Sequence, residues 1–289
     1  MNIDDEKNSI NAYLLFDKKA TVPSISQLNA ILREQWPDVP LLEKASIEDD
    51  ILTFAFPEER AGFVSPMGAP LPWPELEAAA MAAWWWPDAV SELRGHRDHI
   101  VVALMGGDAD RISRGLWLTQ LAGAVAQVSG AIAVYWPSST VLLPSKDFIS
   151  ESVEARPDSI PITVWVNFQL AEDDDGKMSL FTAGMHAFDM PEIEVHHVRS
   201  QPVDLVRLGA DVANYMVLSG EAFVDGEVFG RTEDEVIKVS HGPSLCDDSN
   251  TVIRLELEGD VIPSGDCGSE LPEDGALETD PDVEDGEDK

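Results

Sequence analysis

The chain has 289 residues, is 44% hydrophobic, and holds 54 Asp and Glu against 19 Lys and Arg, for a formal net charge of −35. Such a chain lacks the cationic footprint that nucleic acid or an anionic membrane surface requires, and no apolar run reaches the roughly 18 residues of a membrane span. Its hydrophobic share suffices for a sizeable core, in one large domain or two small ones.

The acidity belongs to body and tail alike. Residues 259–289 hold 12 of the acids and one base, which leaves 42 acids and 18 bases in the rest. Two explanations stand for this charge: solubility or a salt-rich habitat on one side, recognition of a basic partner on the other. The polar, acidic start (MNIDDEKNSIN) is the opposite of a signal peptide, so the chain reads as cytoplasmic. The two cysteines, Cys246 and Cys267, suggest no disulfide framework. They cannot close a four-ligand zinc site by themselves either.

Residues 12–17 (AYLLFD) have the length of a strand. Ser24 is a good N-cap, and Ile25, Leu28, Ile31 and Leu32 then repeat at helical spacing until Trp36-Pro37. Residues 51–56 read as a strand, with residues 63–67 as its partner. A second helix follows residues 70–73, with Leu76, Ala80, Ala83 and Trp84 on one face and Pro87 as its stop. Consecutive indoles at Trp84, Trp85 and Trp86 point in three directions on a helix, so at least one is expected at a second interface, within the fold or with a partner. They are the candidate binding residues, although internal packing is the simpler reading.

Residues 100–105 (IVVALM) form a continuous apolar run, the mark of a strand buried on both faces. Gly106-Gly107 turns the chain, and Asp108 or Asp110 caps a long helix that carries Ile112, Leu116, Leu118, Leu121, Val125 and Val128 and ends at Gly130. Residues 131–136 are the next buried strand. Residues 137–161 read as irregular, with a short helix near Phe148. Residues 164–170 and 179–187 read as strands joined by a hairpin loop at 172–177, and residues 192–198 as another strand. Val206, Ala210, Ala213 and Val217 mark an amphipathic helix that ends at Gly220. Asp225-Gly226, between apolar runs, is the strongest short hairpin signal in the chain. Residues 237–239 and 252–257 complete a meander. From residue 259 on, Asp, Glu, Gly, Ser and Pro dominate, which predicts a disordered acidic tail.

This pattern predicts an α+β fold of antiparallel or mixed sheets with packed helices. The compact unit spans residues 12–258, in two halves of similar element order at 12–150 and 160–258, and the tail spans 259–289.

The chemistry-bearing motifs are incomplete. Met105-Gly106-Gly107-Asp108 sits where a phosphate loop would, but its acids repel anions and no P-loop Lys follows. His96, Asp98 and His99 are the candidate metal ligands, weakened by the lack of a clear third ligand motif. His196 and His197 fall in a predicted strand and should point to opposite faces. Asp173-Asp174-Asp175-Gly176 mimics part of a calcium loop, yet its register places Ala171 and Thr182 where carboxylates are essential. There is no Gly-x-Ser-x-Gly, His-Glu-x-x-His or Gly-x-Gly-x-x-Gly motif.

Several stretches resemble a bacterial family, the domain of unknown function DUF4261. They are Leu71-Pro72-Trp73-Pro74, Ala83-Trp84-Trp85-Trp86-Pro87, His96 with His99-Ile100-Val101-Val102, Leu118-Thr119 and Val134-Tyr135-Trp136. Further on they are Thr182-Ala183-Gly184-Met185, Glu192-Ile193-Glu194-Val195, and Asp225-Gly226 with Phe229-Gly230. The resemblance covers most of residues 12–258 and implies one intracellular α+β unit, with no catalytic residue assigned. The resulting expectation is a non-enzymatic module, of immunity or accessory type, that uses its acidic surface to bind a basic protein. No cofactor is expected. The alternative is a hydrolase or metal-assisted enzyme that uses His96, Asp98 and His99.

Overall fold

The computed structural model describes residues 9–56, 60–106, 110–231, 235–247 and 249–257. Asp108, Cys267 and the acidic tail at 259–289 lie outside the described residues. The fold is α+β: two sheets, of seven and six strands, with helices packed on them.

The first sheet takes β1 (Ser9–Phe16), β2 (Glu43–Glu48), β3 (Ile51–Phe56), β4 (Arg60–Pro66), β5 (Asp98–Met105), β6 (Ala133–Trp136) and β7 (Val141–Pro144) in the order β2-β3-β4-β5-β1-β6-β7. Every neighbouring pair is antiparallel. Successive side chains of β1 enter different cores, as a pleat demands. Ala12, Leu14 and Phe16 join the larger buried cluster, and Leu15 joins a smaller one on the opposite face. A sheet covered on both faces accounts for the uninterrupted apolar run of β5.

Helices at residues 25–35, 111–129 and 145–154 contribute to the larger core. Helix α1 (Ile25–Gln35) starts at a capping box: Ser24 accepts from the Gln27 amide while the Gln27 side chain accepts from the Ser24 amide, satisfying two otherwise orphaned donors. Trp36 ends it, and its indole N–H donates to the Ser152 carbonyl at 2.9 Å. The smaller core is closed by α2 (Trp73–Ala82) and α3 (Ala89–Leu93), which bury Leu76, Ala80 and Leu93. Helix α4 (Arg111–Ser129) lies on β1 and β5 between α1 and α5 (Ser145–Glu154). Asp110 caps it by accepting from the Ser113 amide, and Gly130 ends it in the left-handed region at φ 72°. Neighbours on several sides bury this helix around most of its circumference, so it is less amphipathic than a surface helix.

The second sheet takes β8 (Asn167–Glu172), β9 (Met178–Ala183), β10 (Ile193–Val198), β11 (Val228–Phe229), β12 (Ile237–Pro243) and β13 (Thr251–Leu257) in the order β11-β12-β13-β10-β9-β8. It is mixed, because β10 runs parallel to β13 and the other pairs are antiparallel. Helix α7 (Pro202–Ser219) packs on β8 and β9, burying Leu205, Leu208, Val212, Ala213 and Met216. At Gly209 an added β-carbon would lie 3.1 Å from Leu180, so the missing side chain lets the helix sit close to the sheet. The short α6 (Ile162–Trp165) touches both α7 and β7. One buried cluster runs from Leu14 and Val102 in the first sheet, through α4, to Leu180 and Ile253 in the second.

Several local expectations need correction. The helix expected near Phe148 is α5, but the rest of the stretch at 137–161 is not all irregular, because Val141–Pro144 form β7. The strand expected from residue 164 starts at Asn167, after the single helical turn of α6. The strand expected to run to residue 187 stops at Ala183, and Met185–Phe188 form a 3-10 turn. Asp225-Gly226 does turn the chain, with Gly226 at φ 83°, but only Val228–Phe229 after it pair as a strand. His196 and His197 do not diverge. A bulge between Val195 and Val198 breaks the alternation, and the two rings approach to 6.4 Å.

Candidate functional site

The three adjacent tryptophans are not on a helix. Helix α2 ends at Ala82, so Trp84 and Trp85 lie in the turn that follows. Trp86 packs into the smaller core, and the Trp85 N–H donates to the Leu142 carbonyl at 3.2 Å. Trp84 packs edge-on to Trp85 and keeps 40% of its surface exposed, while its N–H reaches the Phe168 carbonyl of β8 at 3.4 Å. The triplet therefore serves internal packing, with one indole leaning across to the second sheet.

His96, Asp98 and His99 are all buried, but backbone groups hold them apart. Asp98 accepts from the Ala20 amide at 2.9 Å and the His99 amide at 2.8 Å. His99 Nδ1 is 2.8 Å from the Ala69 carbonyl, and His96 Nδ1 is 2.7 Å from the Leu93 carbonyl. In the β1–β5 register Asp98 stands opposite Phe16 and His99 opposite Leu15, whose side chains belong to different cores. The carboxylate and the imidazole thus leave opposite faces of the sheet. Among the described residues no group of three or more His, Cys, Asp or Glu side chains is placed to hold a metal.

The structure gathers ionisable groups at a different place. Glu194 on β10 is only 2% exposed. It accepts from Ser244 Oγ at 2.5 Å and the Leu245 amide at 3.3 Å, and His196 Nε2 lies 2.7 Å away. Glu192 accepts from Thr182 Oγ1 at 2.7 Å and the Gly184 amide at 3.0 Å. Thr182, Glu192, Glu194 and Ser244 line a cavity of about 440 Å³ with Cys246, while His196 lies outside it. The arrangement puts the carboxylate between hydroxyl and imidazole. In a hydrolytic triad the imidazole contacts the hydroxyl, so Ser244 lacks the base that would activate it. Burial first, and the Glu194 charge second, push the Cys246 thiol up from its ordinary value, which disfavours the nucleophilic thiolate. What Glu194 accomplishes is mechanical: it ties the 244–247 loop to β10. A linear reading missed it because Glu in a strand usually signals a solvated face.

The exposed surface near α7 carries a different feature. Tyr215, Phe223 and Phe229 form a ladder of rings, with centroids 5.2 Å and then 4.4 Å apart. Beside it Tyr215, Val224 and Val228 are 55%, 64% and 59% exposed, and Leu218 is also exposed. Charged residues of both signs accompany this apolar face: Asp211, Glu221 and Asp225 are exposed and Glu227 is half-buried, while Asp211 pairs with Arg231 and the exposed Lys238 stands opposite Val228 in the β11–β12 register. Asp225 accepts from the His241 amide and Glu227 from the Val224 amide, which fixes the turn that presents the valines. The sequence held the signal as the Asp225-Gly226 turn between apolar residues, but not the fact that their side chains stay uncovered.

Residues 181–256 match the model of a family described as "Domain of unknown function (DUF4261)". That segment of the chain is similar to the DUF4261 family. It contains the Glu194 network, helix α7 and the aromatic ladder. Of the stretches that resembled DUF4261, those from Thr182 onward fall within the match, and those between Leu71 and Trp136 precede it. No curated protein and no solved structure matches the chain. No helix among the described residues is long and apolar enough to cross a membrane.

Proposed function

We propose that the chain is a cytoplasmic protein-binding module of immunity or accessory type, and that its DUF4261-like segment docks a basic protein. The observation that carries this reading is the exposure of Tyr215, Leu218, Val224 and Val228 beside the ladder of Tyr215, Phe223 and Phe229. Apolar side chains clustered on a monomer's surface mark an interaction site, whereas single ones are ordinary. The net charge of −35 favours a cationic partner and raises its encounter rate. The hydrogen bonds that occupy Ser244, Asp98 and His99, and the raised Cys246 thiol, favour binding over catalysis as the use of this fold.

The test is affinity capture from the native host, followed by association kinetics with the captured protein. The expected partner is cationic. Its association slows several-fold between about 0.01 M and 0.15 M ionic strength, and the Val224→Lys, Val228→Lys double variant abolishes binding without a change in circular dichroism. A captured partner that is acidic, or that binds the double variant as well as the wild type, refutes the reading.

A further inference from the structure

A cavity of about 570 Å³ opens between the start of α4 and the 3-10 turn at Met185–Phe188. Arg111, Arg114, Trp165, His186, Phe188 and Asp189 are among the residues that line it. The volume is that of an ordinary small-molecule site, and the lining combines apolar walls with a few convergent polar groups. Two guanidiniums at one cavity stand out in a chain with 19 Lys and Arg against 54 acids.

The contacts of the two sides differ in kind. The apolar wall is rigid: Phe188 stacks on Trp165 at 5.6 Å, with the ring planes 28° apart, and the Trp165 N–H is held by Thr119. The polar wall is loosely held. Arg111 Nη1 donates to the Ala187 carbonyl at 2.5 Å, and Nη2 pairs with Asp189 Oδ2 at 2.6 Å. The Arg111 and Asp189 side chains are 47% and 78% exposed, the setting in which an ion pair contributes little.

We propose that this cleft binds a small organic oxyanion, a carboxylate or phosphate borne on a flat apolar body, with Asp189 as an internal mimic of the ligand's charged group. The oxyanion takes the place of the Asp189 carboxylate on Arg111, where a bidentate, charge-assisted contact favours a planar carboxylate or a phosphate over water. Arg114 adds a second positive charge, and the body lies along Phe188. The negative body does not forbid this: charges beyond about 8 Å are largely screened at physiological ionic strength, so the groups at the cavity decide. The bland alternative is that Arg111 and Asp189 only clasp α4 to the 3-10 turn. The two readings make opposite statements about Asp189. As a clasp its loss weakens the fold and nothing else, whereas as a ligand mimic its loss frees Arg111 for the oxyanion. This site is separate from the docking face on α7, and it stands or falls independently of it.

The experiment is calorimetric titration of the full chain with phenyl phosphate, benzoate, benzylamine and inorganic phosphate, with folding of each variant checked by circular dichroism. Saturable binding of phenyl phosphate or benzoate is expected, and which of the two binds more tightly identifies the charged group. Benzylamine should not bind, and inorganic phosphate should bind more weakly than phenyl phosphate. Arg111→Ala and Arg114→Ala should each lower the affinity by about tenfold, and Asp189→Asn should raise it several-fold. The proposal is overturned if neither aryl anion binds saturably, or if the arginine variants bind like the wild type. It is equally overturned if Asp189→Asn destabilises the chain with no gain in affinity.

Discussion

Trp165 lies so close to Gly115 that a β-carbon at residue 115 would stand 2.8 Å from the indole Cζ2. The contact joins α4, which covers the first sheet, to α6, the turn that leads into the second. In an exposed helix, Gly→Ala stabilises by up to about 1 kcal/mol. Here the clash should reverse the sign, because overpacking a filled site costs about 1–3 kcal/mol. Urea denaturation of Gly115→Ala should show a lower midpoint than the wild type, and a higher midpoint would mean that Trp165 has room to yield.

The same indole donates to Thr119 Oγ1 at 2.9 Å, and Thr119 donates in turn to the Gly115 carbonyl at 2.8 Å. Both side chains are buried. Thr119→Val should strand the indole N–H and cost about 1–3 kcal/mol. Replacing Trp165 by Phe in the Thr119→Val background removes the stranded donor, so a double-mutant cycle should return a coupling of the two losses well away from additivity.

Glu194 carries the Ser244 hydroxyl, the Leu245 amide and His196 on one buried carboxylate. Glu194→Ala should leave these donors unsatisfied, at about 1–3 kcal/mol for each buried group left without water. The loop at 244–247 should then loosen. Faster amide hydrogen exchange confined to that loop and β10 is the expected signature, and unchanged protection there would show that the carboxylate does not hold it.

Arg231 hydrogen-bonds to Glu235, with Nη2 at 2.6 Å from Oε1, and thereby holds Glu235 below its ordinary value of 4.5. A carboxylate that is more acidic in the folded chain stabilises it fully above its unfolded value and loses that contribution as pH falls through the folded one. Wild type should therefore exceed Glu235→Gln in stability at neutral pH, with the gap closing progressively below pH 4.5. A gap that is constant from pH 7 to pH 3 would assign the difference to packing instead.

Asp98 satisfies the Ala20 and His99 amides from a position 2% exposed. Asp98→Ala should destabilise by about 1–3 kcal/mol, while elemental analysis of the wild type should find no stoichiometric zinc. Zinc that is present at one per chain and lost in His99→Ala would instead promote a metal-assisted hydrolase.

Local rules made much of the fold legible. The apolar run of β5, the helical periods of α4 and α7, the caps at Ser24 and Asp110, and the glycines that end α4 and α7 at positive φ all depend on residues within a few positions of one another. Such features are set by hydrogen bonds and sterics that operate along the chain, so composition and spacing carry them. The expectation that neither nucleic acid nor an anionic membrane is a partner rests in the same way on charge alone.

Tertiary structure decided the rest. Trp84 left its helix because α2 ended at Ala82, and β7 and α6 formed on sequences with weak periods of their own, held by neighbours in sheet and core. The Trp165 indole meets Thr119 across 46 positions, and Ser244 meets Glu194 across 50. No local period records such pairings, because their free energy arises only when burial in a common core brings distant segments together and removes the water that would otherwise satisfy them.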